Sequence, residues 1–334
     1  MLTFGYKASA EQFAPRALLD FAVEAEGAGF DTAFISDHFQ PWRHSGGHAP
    51  FSLAWMGALG QATSRLVIGT SVLTPTFRYH PSIVAHAFGT MAAMFPGRII
   101  LGIGTGESLN ETPATGLAWP EQRERTLRFK EAVHLIRKLW GEDRVTFHGD
   151  YYHTENATIY DRPETPVPIY IAAAGPMMAK FAGQQGDGFI CTSGKKPELY
   201  TDTLLPNVAA GEAVAGKVAN AVDRMIEIKL SFDTDRDRAL RDCRFWGALA
   251  LSSEEKMDVE DPAAMERLAD NLPIERAASR WIVTNDPDEA VERISTYVGL
   301  GFDHLVFHGP GPDQSRYISL LGRDILPRLR KRFG

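Results

Sequence analysis

The sequence predicts a (β/α)8 barrel. Short, continuous, β-rich apolar runs alternate with segments of helical period along the chain, and eight such runs are present. Several of them stop abruptly at polar side chains able to do chemistry, as strands do at the C-terminal face of a barrel. Strands that are apolar throughout and separated by amphipathic helices belong to a parallel sheet covered on its outer face. An open doubly wound sheet is the alternative arrangement of the same elements.

The predicted strands are Leu2–Tyr6, Thr32–Ser36, Leu66–Leu73, Ile99–Gly104, Ile169–Ala173, Gly188–Thr192, Met225–Phe232 and His304–His308. Between them, Pro15–Ala28, Ser52–Ala62, Ser82–Met94 and Arg123–Trp140 repeat their apolar residues with helical spacing. Val145–Tyr160 alternates apolar and polar residues around Gly149-Asp150, a hairpin signal. Asp233–Ile282 reads as a long polar helical stretch, and Ser315–Arg332 as one helix whose basic end suits its dipole. The whole chain, 1–334, is thus expected to be a single barrel domain. Insertions at about 105–122, 145–165 and 233–285 are expected over the C-terminal face.

A chain of 334 residues can build one barrel with insertions. A formal charge of -7 argues against a nucleic-acid partner, which needs a basic surface. No apolar run reaches the length of a membrane span, and the N-terminal Met1–Lys7 enters a strand without a secretory pattern. Cys191 and Cys243 make no CxxC or metal-finger spacing. Together these features point to a reduced, cytoplasmic enzyme with free thiols.

The chemistry is concentrated at the strand ends. Ser36-Asp37-His38-Phe39-Gln40-Pro41-Trp42 closes the second strand with an acid, an imidazole and an indole. An imidazole moves protons at neutral pH. His44 and His48 follow but match no compact metal-ligand pattern, so no metal is expected. Gly69-Thr70-Ser71-Val72-Leu73-Thr74-Pro75 ends the third strand with small residues that let a planar ligand approach the backbone.

Gly102-Ile103-Gly104-Thr105-Gly106-Glu107-Ser108-Leu109-Asn110 partly mimics a dinucleotide fingerprint. Glu107 and Leu109 stand where the third glycine and the helix start should be, which argues against that site. Glu107 at the mouth is instead a candidate for proton transfer, its pKa raised by desolvation. Ala174-Gly175-Pro176-Met177-Met178 opens a helix, a potential anion site. Thr192-Ser193-Gly194-Lys195 offers hydroxyls and a cation suited to a phosphate. Lys256 and Arg280, taken alone, read as solvated charges.

With these motifs assembled, the chain resembles the F420-dependent oxidoreductases of the bacterial luciferase-like family, and among them those that oxidise glucose 6-phosphate. The resemblance is carried by Gly5–Phe13, Ser36–His44, Gly69–Tyr79, Gly104–Glu107 and Gly186–Lys195, and covers nearly the whole chain. It implies a barrel, a homodimer, coenzyme F420 (an 8-hydroxy-5-deazaflavin) and a hexose 6-phosphate substrate. It also implies a cis peptide between Ser71 and Val72. Asp37, Ser71, Val72, Thr74, Thr105, Gly106, Asn110, Ala174, Gly175, Met177 and Met178 match cofactor contacts. Thr192, Lys195, Lys256 and Arg280 match contacts to the sugar phosphate. His38 is assigned to the C1 hydroxyl and Glu107 to the N1 side of the ring, the reverse assignment being the alternative, with Trp42 hydrogen-bonding or packing against the developing charge. Glu11 is a further candidate for the base.

Ala174 replaces a common glycine, Met177 and Met178 replace smaller residues, and the Asn110–Trp119 loop looks shortened. Two alternatives share much of this pattern. One is an F420-dependent dehydrogenase of another sugar phosphate or alcohol; the other is an FMN-dependent luciferase-like monooxygenase. The second has no need of the lysine and arginine set.

Overall fold

The computed structural model describes residues 2–257 and 259–334. Its strands are β1 (Thr3–Ala8), β2 (Thr32–Ile35), β3 (Val67–Thr70), β4 (Ile99–Ile103), β5 (Val145–His148), β6 (His153–Ala157), β7 (Ile169–Ala172), β8 (Gly188–Thr192), β9 (Asp223–Phe232), β10 (Ile282–Thr284) and β11 (His304–His308). Strands β1, β2, β3, β4, β7, β8, β9 and β11 pair in parallel in that order. The β11–β1 and β8–β9 pairings complete the ring, so the sheet is a closed eight-stranded barrel. The β5–β6 hairpin is separate and antiparallel, and the short β10 pairs with the end of β9.

The helices along the chain are α1 (Pro15–Gly27), α2 (Ser52–Ala62), α3 (Pro81–Met94), α4 (Ser108–Thr115), α5 (Gln122–Gly141), α6 (Pro176–Gln185) and α7 (Leu205–Val214). They continue with α8 (Arg236–Asp242), α9 (Pro262–Asp270), α10 (Ile274–Ala277), α11 (Pro287–Gly299), α12 (Gln314–Leu320) and α13 (Leu326–Phe333). Among the described residues, no helix is long and apolar enough to cross a membrane.

Strand alternation sorts the residues into an outer and an inner core. On β9, Ile226, Ile228 and Leu230 face outward into the large core under the helices, where α5 contributes Phe129, Val133 and Ile136. Met225, Glu227 and Lys229 face inward. At the waist of the barrel, Phe34, Ile100, Tyr170, Ile190, Met225 and Val306 form an apolar plug. Room for its two rings comes from Gly69 and Gly188, where a Cβ would run into Phe34 and Tyr170 respectively. Below the plug, His304 bridges Thr32 Oγ1 (3.0 Å) and Asp223 Oδ2 (2.9 Å). Above it, at the strand C-termini, the inward positions turn polar.

Several expectations need correction. The third strand stops at Thr70, short of the predicted Leu73, and the Ser71–Val72 peptide that follows is cis, as the resemblance implies. Residues 110–119 are not simply a loop: α4 begins directly after Glu107 and ends at Gly116, whose φ of 69° closes it. Asp233–Ile282 is not one polar helix. Asp235 and Asp261 cap fresh starts at α8 and α9, and Pro262 and Pro273 break the run. Ala248, Leu251, Met265, Ala269 and Leu272 give this insertion a small core of its own.

The C-terminal helix divides into α12, a π-type turn over Leu321–Ile325, and α13. Pro327 has no N–H to continue the α-helical ladder. The β5–β6 hairpin follows α5 on the way to β7 and packs outside the barrel. Asp150, Tyr151 and Tyr152 donate backbone N–H groups to Glu131 on α5, and the Tyr152 hydroxyl donates to the Thr76 carbonyl.

The plug predicts a measurable sensitivity. Phe34→Ala removes its largest apolar ring from a fully buried site, and stability should fall by about 3–5 kcal/mol. The denaturant midpoint is expected to drop with little change in slope, because the surface exposed on unfolding is nearly the same.

Candidate active site

The inward polar layer opens into a cavity of about 430 Å³ at the C-terminal ends of the strands. The loop after β1 supplies Glu11, and the segment after β2 supplies Asp37, His38 and Trp42. The turn after β3 supplies Ser71, Val72 and Thr74. Thr105, Gly106, Glu107 and Asn110 follow β4, Ala174 follows β7, Thr192 ends β8, and Arg280 precedes β10. Gly175, Met177 and Met178 sit at the start of α6, next to Ala174 but outside the cavity wall; Gly175 is the N-cap and Met177 is exposed.

Asp37 and Asn110 are held by the protein itself. Asp37 Oδ1 accepts from Ser52 Oγ (2.6 Å) and from the Tyr79 hydroxyl (3.0 Å), while Oδ2 pairs with Arg78 at 2.7 Å. Arg78 also pairs with buried Glu111 at 3.1 Å. Asn110 Oδ1 accepts the backbone N–H groups of Phe39 (2.8 Å) and Gln40 (3.1 Å). These bonds fix the backbone on either side of His38, so the imidazole is presented from a rigid base.

His38 Nε2 lies 3.5 Å from Glu11 Oε1, and its buried Nδ1 has no protein partner. Glu11 also accepts from Ser36 Oγ at 2.6 Å. Burial works to raise the Glu11 carboxyl, but His38, Lys7 and the Ser36 hydrogen bond outweigh it and hold it below the ordinary range. Glu107 behaves in the opposite way. Its surface is open to the cavity mouth, yet protein atoms surround it densely enough that desolvation raises its carboxyl. His38 and Lys256 offset this in part, and Glu11 adds to it. Two carboxyls flanking one imidazole are therefore displaced in opposite directions, as an acid and a charged companion require.

Lys195 and Lys256 lie outside the cavity wall proper, at its rim, and act electrostatically with Arg280. Burial lowers the pKa of each of the three, and Arg280 lowers those of both lysines further. Lys256 Nζ stands 5.0 Å from the Trp42 ring centroid, a cation–π distance. The loop carrying Lys195 is stapled by two tyrosines. The Tyr200 hydroxyl donates to Thr192 O at 2.8 Å, and Gly194 N–H donates to the Tyr297 hydroxyl at 3.2 Å. Gly194 has a φ of 73°, and a Cβ there would strike the Arg280 carbonyl. Arg280 places two N–H groups on the Leu249 and Ser193 carbonyls, both at 3.2 Å, leaving its other donors for a ligand. Glu107 offsets Lys256 and Glu227 offsets Arg280 in part, and such crowding of cations is chemically suited to an anion.

Sequence reasoning passed over the cavity floor: Lys7, Glu227, Lys229, Trp246 and His308. A signal for four of them was present, since Lys7, Glu227, Lys229 and His308 are polar interruptions at inward positions of otherwise apolar strands. Trp246 lies in the insertion, where no strand register marks it.

The site fits a deazaflavin cofactor. Val72, Ala172 and Ile190 make an apolar surface on which a flat ring can rest. A Cβ at Gly104 would come within 2.8 Å of Val72 Cγ2, so the backbone approaches closely there. The first turn of α6 has no side-chain cap, and its N–H groups are available to an anionic tail.

The family of luciferase-like monooxygenases matches residues 2–304, and the chain belongs to it. Within that family it is similar over its whole length to F420-dependent glucose-6-phosphate dehydrogenases. The protein of that name from Nakamurella multipartita is 63% identical over 333 residues, covering 100% of this chain and 98% of the relative. The one from Mycolicibacterium smegmatis is 61% identical over 332 residues, covering 99% and 98%. Among solved structures, an F420-dependent secondary alcohol dehydrogenase in complex with an F420-acetone adduct superposes with a TM-score of 0.92. It is 34% identical, covering 98% of this chain and 99% of that one.

Arg78 offers a test of how the site is held. In Arg78→Met, Asp37 and Glu111 remain buried without their cation, and stability should fall by roughly 3–5 kcal/mol at neutral pH. Burial already raises the Glu111 carboxyl against the pull of Arg78, and without that cation it rises further, so the deficit shrinks as the pH falls through the raised value. Thermal melts at neutral and acid pH measure both effects.

Proposed function

We propose that this protein oxidises C1 of glucose 6-phosphate, or a related hexose 6-phosphate, to 6-phosphogluconolactone with coenzyme F420 as the hydride acceptor. The observation that carries this reading is the meeting of two sets of groups: His38, Glu11 and Glu107 in the cavity, and the cations Lys195, Lys256 and Arg280 gathered at and around its rim. A monooxygenase acting on an uncharged substrate has no use for the cations.

When bound, F420 supplies a ring that takes up two electrons as hydride. Ser71, Val72 and Thr74 would support it from one side, with Asp37, Thr105, Gly106 and Asn110 at its edge. The backbone of Ala174, Gly175, Met177 and Met178 would receive its anionic tail. Lys195, Lys256 and Arg280 hold the sugar phosphate, with Thr192 donating a hydrogen bond. That remote binding orients C1. His38 Nε2 takes the proton of the C1 hydroxyl as the C1 hydride leaves, and anionic Glu11 steadies the resulting imidazolium. Glu107, whose raised carboxyl favours the protonated form, supplies the proton needed on the cofactor side. Trp42 closes the apolar wall beside His38. The same reading includes a homodimer working in the cytoplasm; the free, buried thiols of Cys191 and Cys243 suit a reducing compartment.

The reading is tested by mixing the purified protein with oxidised F420 and glucose 6-phosphate and following loss of the cofactor's visible absorbance. Rapid loss is expected with the phosphorylated sugar and none with free glucose; equal rates with both would remove the cation cluster from substrate recognition. His38→Ala and Glu107→Gln should each lower turnover by about 10²–10⁴-fold. Arg280→Ala should mainly raise KM for the sugar phosphate.

Lys195 and Lys256 have lowered pKa values, so each loses its proton earlier than usual as the pH rises. KM for glucose 6-phosphate should therefore climb at pH values below the ordinary lysine pKa of about 10.4. A KM that stays flat across that range would contradict the assignment.

A further inference from the structure

We infer that Glu227 anchors two buried lysine arms on the cavity floor, Lys7 positioning the cofactor shelf at Ser71 and Lys229 positioning Thr192 toward the sugar phosphate. The inference rests on the proposed reading of the cavity and adds positioning residues to it.

The connections are continuous. Lys7 Nζ donates to the Ser71 carbonyl at 2.6 Å and lies 3.5 Å from Glu227 Oε2. Glu227 Oε1 accepts from Lys229 Nζ at 2.8 Å, and Lys229 Nζ also donates to Thr192 Oγ1. His308 Nδ1, 3.3 Å from Glu227 Oε1, completes the surroundings of the carboxylate. Strand register builds the cluster. Glu227 and Lys229 are two residues apart on one face of β9, Glu227 pairs with Thr192 on β8, and Lys229 pairs with His308 on β11.

Packing alone does not call for these charges. Lys7 and Lys229 are only 4% and 3% exposed, and burying an ammonium is costly unless it is paired. One layer below, the same barrel fills its interior with Met225, Val306 and Ile190. The charged layer lies instead where ligands meet the protein, and each lysine extends past Glu227 to a group at a ligand surface. The Ser71 carbonyl belongs to the turn supporting the cofactor side. Thr192 Oγ1 accepts from Lys229, so its own proton points away from the lysine and is available to an acceptor oxygen in the cavity. Burial lowers the Lys229 pKa, with Glu227 pulling the other way. For Glu227, Lys229, Lys7 and His308 overcome burial and hold it well below the carboxylate range, so the anchor stays anionic.

The two arms predict separable effects. Lys229→Met should raise KM for glucose 6-phosphate roughly 10- to 100-fold, the loss of a charge-assisted hydrogen bond. It should leave the F420 Kd, read by fluorescence titration without sugar, within about twofold. Lys7→Met should do the reverse, weakening F420 binding with little change in sugar KM at saturating cofactor. Glu227→Gln should disturb both. Thr192→Val tests the substrate arm without touching a buried charge. It should match the KM rise of Lys229→Met, and the double variant should be no worse than either alone.

Equal changes in Kd and KM in both lysine variants, or additive effects of Lys229→Met and Thr192→Val, would overturn the inference. If the unmodified protein binds F420 but does not oxidise glucose 6-phosphate, the functional reading fails instead. The F420 titrations of the Lys7 and Glu227 variants still decide the cofactor arm.

Discussion

The apolar plug of Phe34, Ile100, Tyr170, Ile190, Met225 and Val306 is the constraint on which the rest of the molecule depends. It fills the barrel at its waist and so excludes a water-filled channel beneath the cavity. Every polar group above it must then be satisfied by its neighbours or by a ligand, since bulk solvent reaches it only from the mouth. Lys7, Glu11, Glu227 and Lys229 can carry charge inside the barrel because they neutralise one another, Lys7 on β1 reaching past β11 to Glu227 on β9. Their strength as electrostatic partners comes from the same low-dielectric floor.

Above that floor, the positions of the chemically active groups are set by bonds that do no chemistry. Arg78 joins Asp37 and Glu111, Asn110 holds the Phe39 and Gln40 backbone, and Tyr200 and Tyr297 staple the loop carrying Lys195. What remains free among these side chains is selective. The Nδ1 of His38 and the Nε of Arg280 lack partners although they are buried, while the structural carboxylates are fully engaged. The groups that hold the cavity's shape are thus satisfied within the protein, while His38 and Arg280 each keep a buried polar atom without a partner.

The barrel was legible because its strands are short apolar runs spaced by amphipathic helices, a pattern local to each element. Strand ends such as Ile35–His38 and Ile103–Glu107 exposed much of the site for the same reason. Segments whose form depends on tertiary packing were harder. Residues 233–282 scatter Ala248, Leu251 and Met265 too widely to reveal the small core they share, and α4 was masked by the glycines before it. Lys256 and Arg280 each looked like ordinary surface charge in the sequence, and the fold brings their fields together with that of Lys195, which the hydroxyl-rich strand end already marked as suited to a phosphate. The Lys7–Glu227–Lys229 floor could have been suspected from charges at alternate positions in buried strands. Which lysine reaches Ser71 and which reaches Thr192 follows from barrel closure, a relation between residues far apart in the chain.

The insertion that carries Lys256 also packs on Trp42, next to His38, and its small core is nearly independent of the barrel's own. The molecule is therefore modular in an evolutionary sense. On the proposed reading, the apparatus for moving a hydride and its protons is written into the strand ends, whereas much of what selects the electron donor is written into the cover that the insertion forms. A lineage could vary that cover, and with it the class of alcohol admitted, while keeping the strand-end residues in place. The same division marks 233–285 as the region in which to seek new substrates for an otherwise constant catalyst.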